Sequence, residues 1–371
     1  MSETGPPLVV GFDLDMTLVD SAAAITSSVV ATGRRFGVDI DPARVAATIG
    51  LPLDLVFPDV LPGVPYDDAL AHYRADFLAH GVARCSLLPG AAAAVAAVRS
   101  HGGRVVVATA RHTPVAVTLL EAVGLEVDVV GGDRFGAQKS ALLVDEGVSV
   151  YVGDHPADVE AARGAGAVAL AVPTGPTTRA ALAAAGADEV LDDLLAFPDW
   201  LAEHVLDLRL AALDARLREL PAVVVAFSGG ADSAFLLAAA VRALGRDAVV
   251  AATAVSHSLA AAELDPARAF ARSLGVRHRE PATDELAHEG YRANGADRCY
   301  FCKSELVDVL GPLALAELGP EAVVATGTNA DDLVAGFRPG IRAARERGAV
   351  TPLADAGLTK AQVRAGSHRW G

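Results

Sequence analysis

Two aspartates two residues apart, Asp13 and Asp15, follow directly on an apolar run, Leu8–Phe12. If that run is a strand, its period of two starts both carboxylates on one side. Ligands of open α/β sheets gather at the carboxyl ends of strands, so the pair stands where a substrate would sit. Carboxylates this close need a cation to tolerate each other, and Mg²⁺ takes oxygen ligands. One of the two can then attack phosphorus while its neighbour protonates the leaving oxygen. Thr109 and Ala110 follow a second apolar run and offer hydrogen bonds to a transferring phosphoryl group. Lys139, the only lysine in the first half, can neutralise charge on nucleophile and phosphate. Gly153-Asp154-His155-Pro156-Ala157-Asp158 ends a further apolar run and supplies two more metal-seeking carboxylates.

A second constellation begins after the apolar run Ala222–Phe227, at Ser228-Gly229-Gly230-Ala231-Asp232-Ser233, with a helical pattern over Ala234–Leu244. Glycines there let backbone N–H groups approach phosphate oxygens, and a helix N-terminus favours negative charge. Ser228 and Ser233 add donors, and Asp232 can hold Mg²⁺. A Gly-Gly turn is a weak signal by itself; the full Ser-Gly-Gly-x-Asp-Ser between strand and helix points to a pyrophosphate-binding loop.

In the first half, Asp-Leu-Asp-Met-Thr from Asp13, the strand-end Thr109, Lys139 and Gly-Asp-x-x-x-Asp from Gly153 match in order the four motifs of the haloacid-dehalogenase (HAD) superfamily. The resemblance covers about residues 8–195 and includes a helical cap of the phosphoglycolate-phosphatase-like kind. It implies Asp13 as nucleophile and Asp15 as acid/base, with Thr109 and Lys139 holding the phosphate. Asp154 with Asp13 would hold Mg²⁺, supported by Asp158, and Asp15 is counted with the metal site. Met16 stands where many relatives have glycine.

The second half resembles the ATP-pyrophosphatase (PP-loop) group, which activates an oxygen nucleophile by transferring AMP. Thr253-Ala254-Val255-Ser256 falls where that group usually places adenine, so Ser256 joins Ser228, Gly229, Gly230, Asp232 and Ser233 in the expected ATP site. The series from Gly290 through Asn294, Asp297-Arg298-Cys299-Tyr300-Phe301-Cys302-Lys303, Gly327–Asp332, Arg338-Pro339-Gly340 and Leu358-Thr359-Lys360 is similar to the LarE-type sacrificial sulfur transferases. These adenylate a carboxylate on a pyridinium mononucleotide and replace it with a thiocarboxylate, in making a nickel-pincer nucleotide. Cys299 and Cys302 read as a zinc half-site, as buried structural thiols or as sulfur chemistry; zinc and iron–sulfur clusters both usually want more than two cysteines. Some members of the resembled family use three cysteines, of which this pair would be two, so an iron–sulfur cluster stands beside Mg²⁺ and ATP as an implied cofactor. Arg338 and Arg342 are placed to receive a substrate phosphate, or form part of a solvated basic helix face. Relatives continue past Lys360 through a further cysteine-bearing segment. This chain ends Ala365–Gly371 with no such cysteine and no apolar period, as though a frame were lost after Arg364. The expectation is a truncated domain that does not complete sulfur transfer.

The elements needed to position these groups are legible in the composition. Hydrophobic residues make up 52% of the 371 and aromatics only 5%, which suits Ala-rich helices on Val-rich parallel strands. Strands are predicted at Leu8–Phe12, Arg104–Ala108, Val127–Val130, Val148–Val152 and Val168–Val172. Cap helices are predicted at Ser21–Phe36, Pro42–Ile49 and Asp67–His80. A loop and then a helix over Asp192–Leu220 should present Leu201, Val205, Leu208 and Ala212 near one face.

The fold class is therefore α/β with two parallel-sheet domains. A HAD-like Rossmannoid domain spans 1–197 with its cap at about 20–88; 198–220 is a helical linker; an adenine-nucleotide α-hydrolase-like domain spans 221–371. Apolar runs fall short of the roughly 20 residues that span a bilayer, and no signal peptide is visible, so a cytoplasmic protein without membrane partners is expected. Net charge is −15, a field that opposes non-specific nucleic-acid binding. The expected partners are small phosphate esters and nucleotides, with an oligomer allowed. The function reads as a phosphatase fused to an ATP-dependent sulfur transferase. The competing readings are a phosphatase with a non-catalytic ATP-binding remnant and an amidating enzyme of the GMP- or NAD-synthetase kind.

Overall fold

A computed structural model describes residues 8–256, 261–284, 289–292, 295, 298–334, 336 and 338–371. Ala293, Asn294 and Asp297 of the second half's motifs lie outside the described residues. The chain divides into two compact units, meeting in sequence between Ala202 and Glu203.

In the first unit six parallel strands stand in the order Val129–Gly131, Arg104–Ala108, Val9–Phe12, Val150–Gly153, Val168–Ala171, Glu189–Val190. The nucleophile's strand is central, with Val10 opposite both Val105 and Val150. It is buried along its whole length. That is the condition under which a parallel strand reads as a continuous apolar run rather than an alternating one. The short strand Glu189–Val190 carries no such run and escapes the sequence pattern.

The cap is inserted between Val19–Asp20 and Ser86–Leu87, which pair as a two-residue antiparallel ladder and close its neck. Its helices Ala22–Arg35 and Pro42–Ala46 lie where the pattern placed them. The third begins at Tyr66 and runs to Asp76, then widens into a π-helical turn, Phe77–Gly81. A further helix, Leu53–Val60, was not predicted; it contains Pro58, the kind of residue that breaks a helical reading.

Phe197–Arg218 is one continuous helix. Leu201 and Val205 are buried as expected, but Leu208 is 50% exposed. Leu206, Leu213 and Leu217 enter the second unit's core instead, with Ala212 packed at its edge.

The second unit holds four parallel strands in the order Arg277–Arg279, Val249–Ala252, Val223–Ala226, Val323–Thr326. Alternate residues feed opposite faces. Val223, Val225, Val249 and Ala251 face one core, while Val224, Val250 and Ala252 face the other.

The expectation that the last residues lack an apolar period is corrected. Lys360–Trp370 is a helix with a capping box between Thr359 and Gln362. Val363, Gly366 and Trp370 present one face to the helix Ala231–Leu244. A Cβ at Gly366 would come 2.8 Å from the Phe235 ring, and Trp370 stacks on that ring with centroids 4.6 Å apart. The Arg242 guanidinium lies 4.6 Å from the Trp370 centroid. Spacings of three and four residues are a helical face, but two of the three contacts use a glycine and a chain-end tryptophan rather than an aliphatic stripe.

Candidate functional site

Asp13 follows the central strand and is nearly fully buried, with its backbone N–H bonded to the Val152 carbonyl. Lys139, on the helix Ala137–Asp145, reaches across to it. Its Nζ donates to Asp13 Oδ1 at 2.7 Å and to Asp158 Oδ1 at 2.6 Å. Asp158 sits in the first turn of the helix Pro156–Gly164, where its Oδ2 accepts from the His155 backbone N–H at 3.2 Å. The Tyr151 hydroxyl donates to the Ala108 carbonyl at 2.9 Å and lies 3.3 Å from Asp158 Oδ1.

Asp154 is buried beside them. Its Oδ1 accepts from Thr17 Oγ1 at 3.1 Å, while its Oδ2 is buried with no hydrogen-bond partner. The backbone of Gly175 lines this oxygen so closely that a Cβ there would fall 1.9 Å from Oδ2. Asp13, Asp154 and Asp158 can bring one carboxylate oxygen each within 4.8 Å of the others.

The electrostatics follow from this crowding. Burial raises the Asp13 carboxyl to about 7, against the attraction of Lys139 and helped by the charge on Asp158. Burial first, then Asp13 and Asp158, hold Asp154 well above the usual carboxylate range. Burial works against the Lys139 cation, yet Asp13 and Asp158 outweigh it and keep its pKa well above the ordinary lysine value.

Asp15 is turned elsewhere. Its carboxylate is gripped by Arg111, Nε to Oδ2 at 3.0 Å and Nη2 to Oδ1 at 2.7 Å, and accepts from Ser21 Oγ at 2.5 Å. Its side chain is not part of the acidic triad. Arg111 was missed by the sequence reading although it stands two residues after Thr109. Its guanidinium also lies 4.1 Å from the centroid of Phe77, in the cap's π-helical turn. Thr109 is buried, donates its backbone N–H to the Gly131 carbonyl and accepts from the Arg111 N–H at its Oγ1. Met16 adopts φ 60, the left-handed region that favours glycine. Its carbonyl accepts from Thr174 Oγ1.

A cavity of about 620 Å³ opens over Asp13 and Lys139, walled by the cap through Ile49, Leu53, Val56, Tyr66 and Tyr73.

In the second unit the Ser228–Ser233 loop is closed on itself. Ser233 Oγ donates to the Gly230 carbonyl at 2.9 Å and accepts from the Ser228 N–H at 3.3 Å. The helix Ala231–Leu244 starts there, one turn earlier than predicted. Asp232 Oδ2 accepts from the Asn329 amide at 3.1 Å, and Asn329 is fully buried. A cavity of about 720 Å³ is lined by Ser228, Gly230, Asp232 and Ser233, by Thr253 and Ala254, and by Cys299, Lys303, Asp332 and Arg338. Gly229, Ser256, Cys302 and Arg342 are not in its wall. Arg342 instead pairs with Glu346 at 3.5 Å and lies over the Tyr300 ring. Among the described residues, neither cysteine belongs to a group of three potential metal ligands. The residues described therefore do not assemble a cluster site.

The model of the haloacid dehalogenase-like hydrolases matches residues 10–172, a span containing Asp13, Thr109, Lys139, Asp154 and Asp158. An uncharacterized protein of Synechocystis sp. is 47% identical over 160 residues, covering 43% of this chain and 58% of that protein. The pyridinium-3,5-bisthiocarboxylic acid mononucleotide synthase of Lactiplantibacillus plantarum is 36% identical over 155 residues, covering 42% of this chain and 55% of that enzyme. This chain thus spans little more than half the length of either. The synthase similarity covers a further part of the chain, beyond the hydrolase unit. The phosphoglycolate phosphatase of Rhodospirillum rubrum is 33% identical over 220 residues, covering 53% of this chain and 91% of that enzyme. The chain belongs, through its first unit, to the haloacid dehalogenase-like hydrolases.

Proposed function

We propose that the first unit hydrolyses phosphate monoesters through a phosphoryl-aspartate on Asp13, and that the second binds ATP and adenylates a carboxylate ahead of sulfur transfer. One observation carries the first half of this reading. Lys139 clasps Asp13 and Asp158 beside Asp154, whose Oδ2 has no partner although it is buried.

That orphaned oxygen and the Gly175 cradle around it fit a magnesium ion held by Asp13 and Asp154, with Asp158 alongside. When bound, the ion supplies positive charge that offsets the buried carboxylates and the phosphate oxygens. Asp13 supplies the oxygen that forms the bond to phosphorus as the ester P–O bond breaks. The leaving oxygen takes a proton from Asp15, which later withdraws one from the water that attacks the phosphoryl-aspartate. Asp15's pairing with Arg111 and Ser21 must open on one side for this. Thr109 and Lys139 hold the phosphoryl oxygens, and the cap excludes bulk water. The protein is expected to release phosphate from p-nitrophenyl phosphate with Mg²⁺ and to lose that activity in EDTA. Equal rates in both would remove the metal from the reading.

For the second unit the support is the closed Ser228–Ser233 loop opening a helix beneath a large cavity. A glycine-bearing loop at a helix N-terminus suits phosphate oxygens, Asp232 suits Mg²⁺, and Cys299 and Lys303 stand in the same wall. Similarity to the bisthiocarboxylic acid mononucleotide synthase suggests a pyridinium mononucleotide carboxylate as the group adenylated. ATP with Mg²⁺ is expected to stabilise the protein by about 2.7 kcal/mol at one hundred times Kd. Asp232→Ala should shrink the shift seen by scanning calorimetry. No shift at millimolar ATP would leave the loop a structural feature only.

A further inference from the structure

The lysine and the arginines around the first cavity can be accounted for one by one. Lys139 lies between Asp13 and Asp158. Arg111 grips Asp15. Arg74 and His112 both face Asp133, at 3.5 and 2.9 Å. Arg134 also lines the cavity, and it has no such counter-charge. Among the described residues its guanidinium makes no hydrogen bond or ion pair, and its Nε is buried without a partner.

The backbone fixes this arginine beside the reaction centre. The Arg134 N–H donates to the Thr109 carbonyl at 3.0 Å, and the Asp133 N–H donates to the Arg111 carbonyl at 2.8 Å. The turn after Val129–Gly131 is thereby stitched to the turn that carries Thr109. Its strand lies two places from the nucleophile's in the sheet, about 10 Å across at the usual strand spacing. A phosphoryl group occupies only the floor of a 620 Å³ cavity; the leaving group must fill the rest. The cap contributes apolar side chains to the wall, among them Val45, Ile49, Leu53 and Val56. A buried donor without a partner is costly, and the planar guanidinium fork matches carboxylate and phosphate.

We propose that Arg134 receives a second anion of the substrate, so that the favoured esters carry a carboxylate or a further phosphate beyond an uncharged body. This rests on the reading of the first unit as a phosphate-ester hydrolase.

The test uses matched non-nucleotide esters, so that the second unit's cavity does not compete. One pair is 4-carboxyphenyl and 4-carbamoylphenyl phosphate; the other is 1,4-phenylene bisphosphate and 4-hydroxyphenyl phosphate. Binding is measured by calorimetry to the full chain carrying Asp13→Asn, which holds ester without turnover. At least one charged member should bind about tenfold more tightly than its neutral twin. The first pair scores a carboxylate source and the second a phosphate source. Adding Arg134→Gln should reduce the ratio to about threefold or less, with Arg134→Lys between the two. Ratios near one in both pairs, or a preference that survives Arg134→Gln, overturn the inference. Turnover of p-nitrophenyl phosphate by the unaltered protein is scored separately. Hydrolysis without discrimination defeats Arg134's role alone; discrimination without hydrolysis defeats the hydrolase reading alone.

Discussion

Asp13→Asn is expected to lower phosphate release by at least about 10³-fold, because the amide removes the attacking oxygen at nearly constant shape. The same substitution should raise the melting temperature of metal-free protein, and more so at pH 8 than at pH 5. The sign follows from the Asp13 carboxyl, raised by burial from 3.8 to about 7 in the folded chain. Below the unfolded value the group is neutral in both states and costs nothing. Between the two values the folded chain keeps a proton that the unfolded chain has released, so stability falls as pH rises. Above about 7 the full penalty is present, on the order of several kcal/mol. Asparagine does not titrate and escapes it. Melting curves at the two pH values in EDTA check this, and an equal or smaller gain at pH 8 would show that Asp13 is not held in the raised state.

Lys139→Ala should be the most damaging single change in the first unit. It removes one Nζ that serves two buried carboxylates at 2.7 and 2.6 Å, leaving Asp13 and Asp158 facing each other without a cation. Breaking a buried ion pair from one side costs about 3–5 kcal/mol, or roughly 6–20 °C in melting temperature for a unit of this size. Turnover should vanish with it. Without the cation, whose attraction opposes the burial of Asp13, the Asp13 carboxyl holds its proton to still higher pH, so the loss of stability should be smaller at pH 5 than at pH 8. Lys139→Met keeps the volume and separates the lost charge from a packing defect. A Lys139→Met protein that melts with the parent at pH 8 and still turns over would show that the cation is not needed there.

Much of the machinery was legible because it sits at the ends of local patterns. Val9–Phe12, Arg104–Ala108 and Val150–Gly153 are buried on both faces, and such strands announce themselves as short apolar runs. Their carboxyl ends carry Asp13, Thr109 and Asp154, so the pattern and the chemistry are found together. The Ser228–Ser233 loop was readable for the same reason, as a strand ending in glycines and opening a helix.

What sequence could not supply were relations set by long-range packing. Asp13 and Asp15 begin on one side of a strand, yet the chain turns at Met16, and Arg111, 96 positions away, takes Asp15 for itself. Arg338 and Arg342 share a helical spacing, but only Arg338 reaches the cavity wall, because Arg342 is drawn to Glu346 and Tyr300. The final helix was unreadable because its contacts use a glycine against a phenylalanine and a tryptophan stacked on that same ring. Sequence alone determined the residue types, the strand ends that carry them and the order of the two units along the chain. Tertiary structure alone decided which charges are paired and which, like Asp154 Oδ2 and Arg134 Nε, are buried without a partner. Strand and helix periods repeat within a few residues and leave a local trace, whereas charge pairing depends on distances closed by folding.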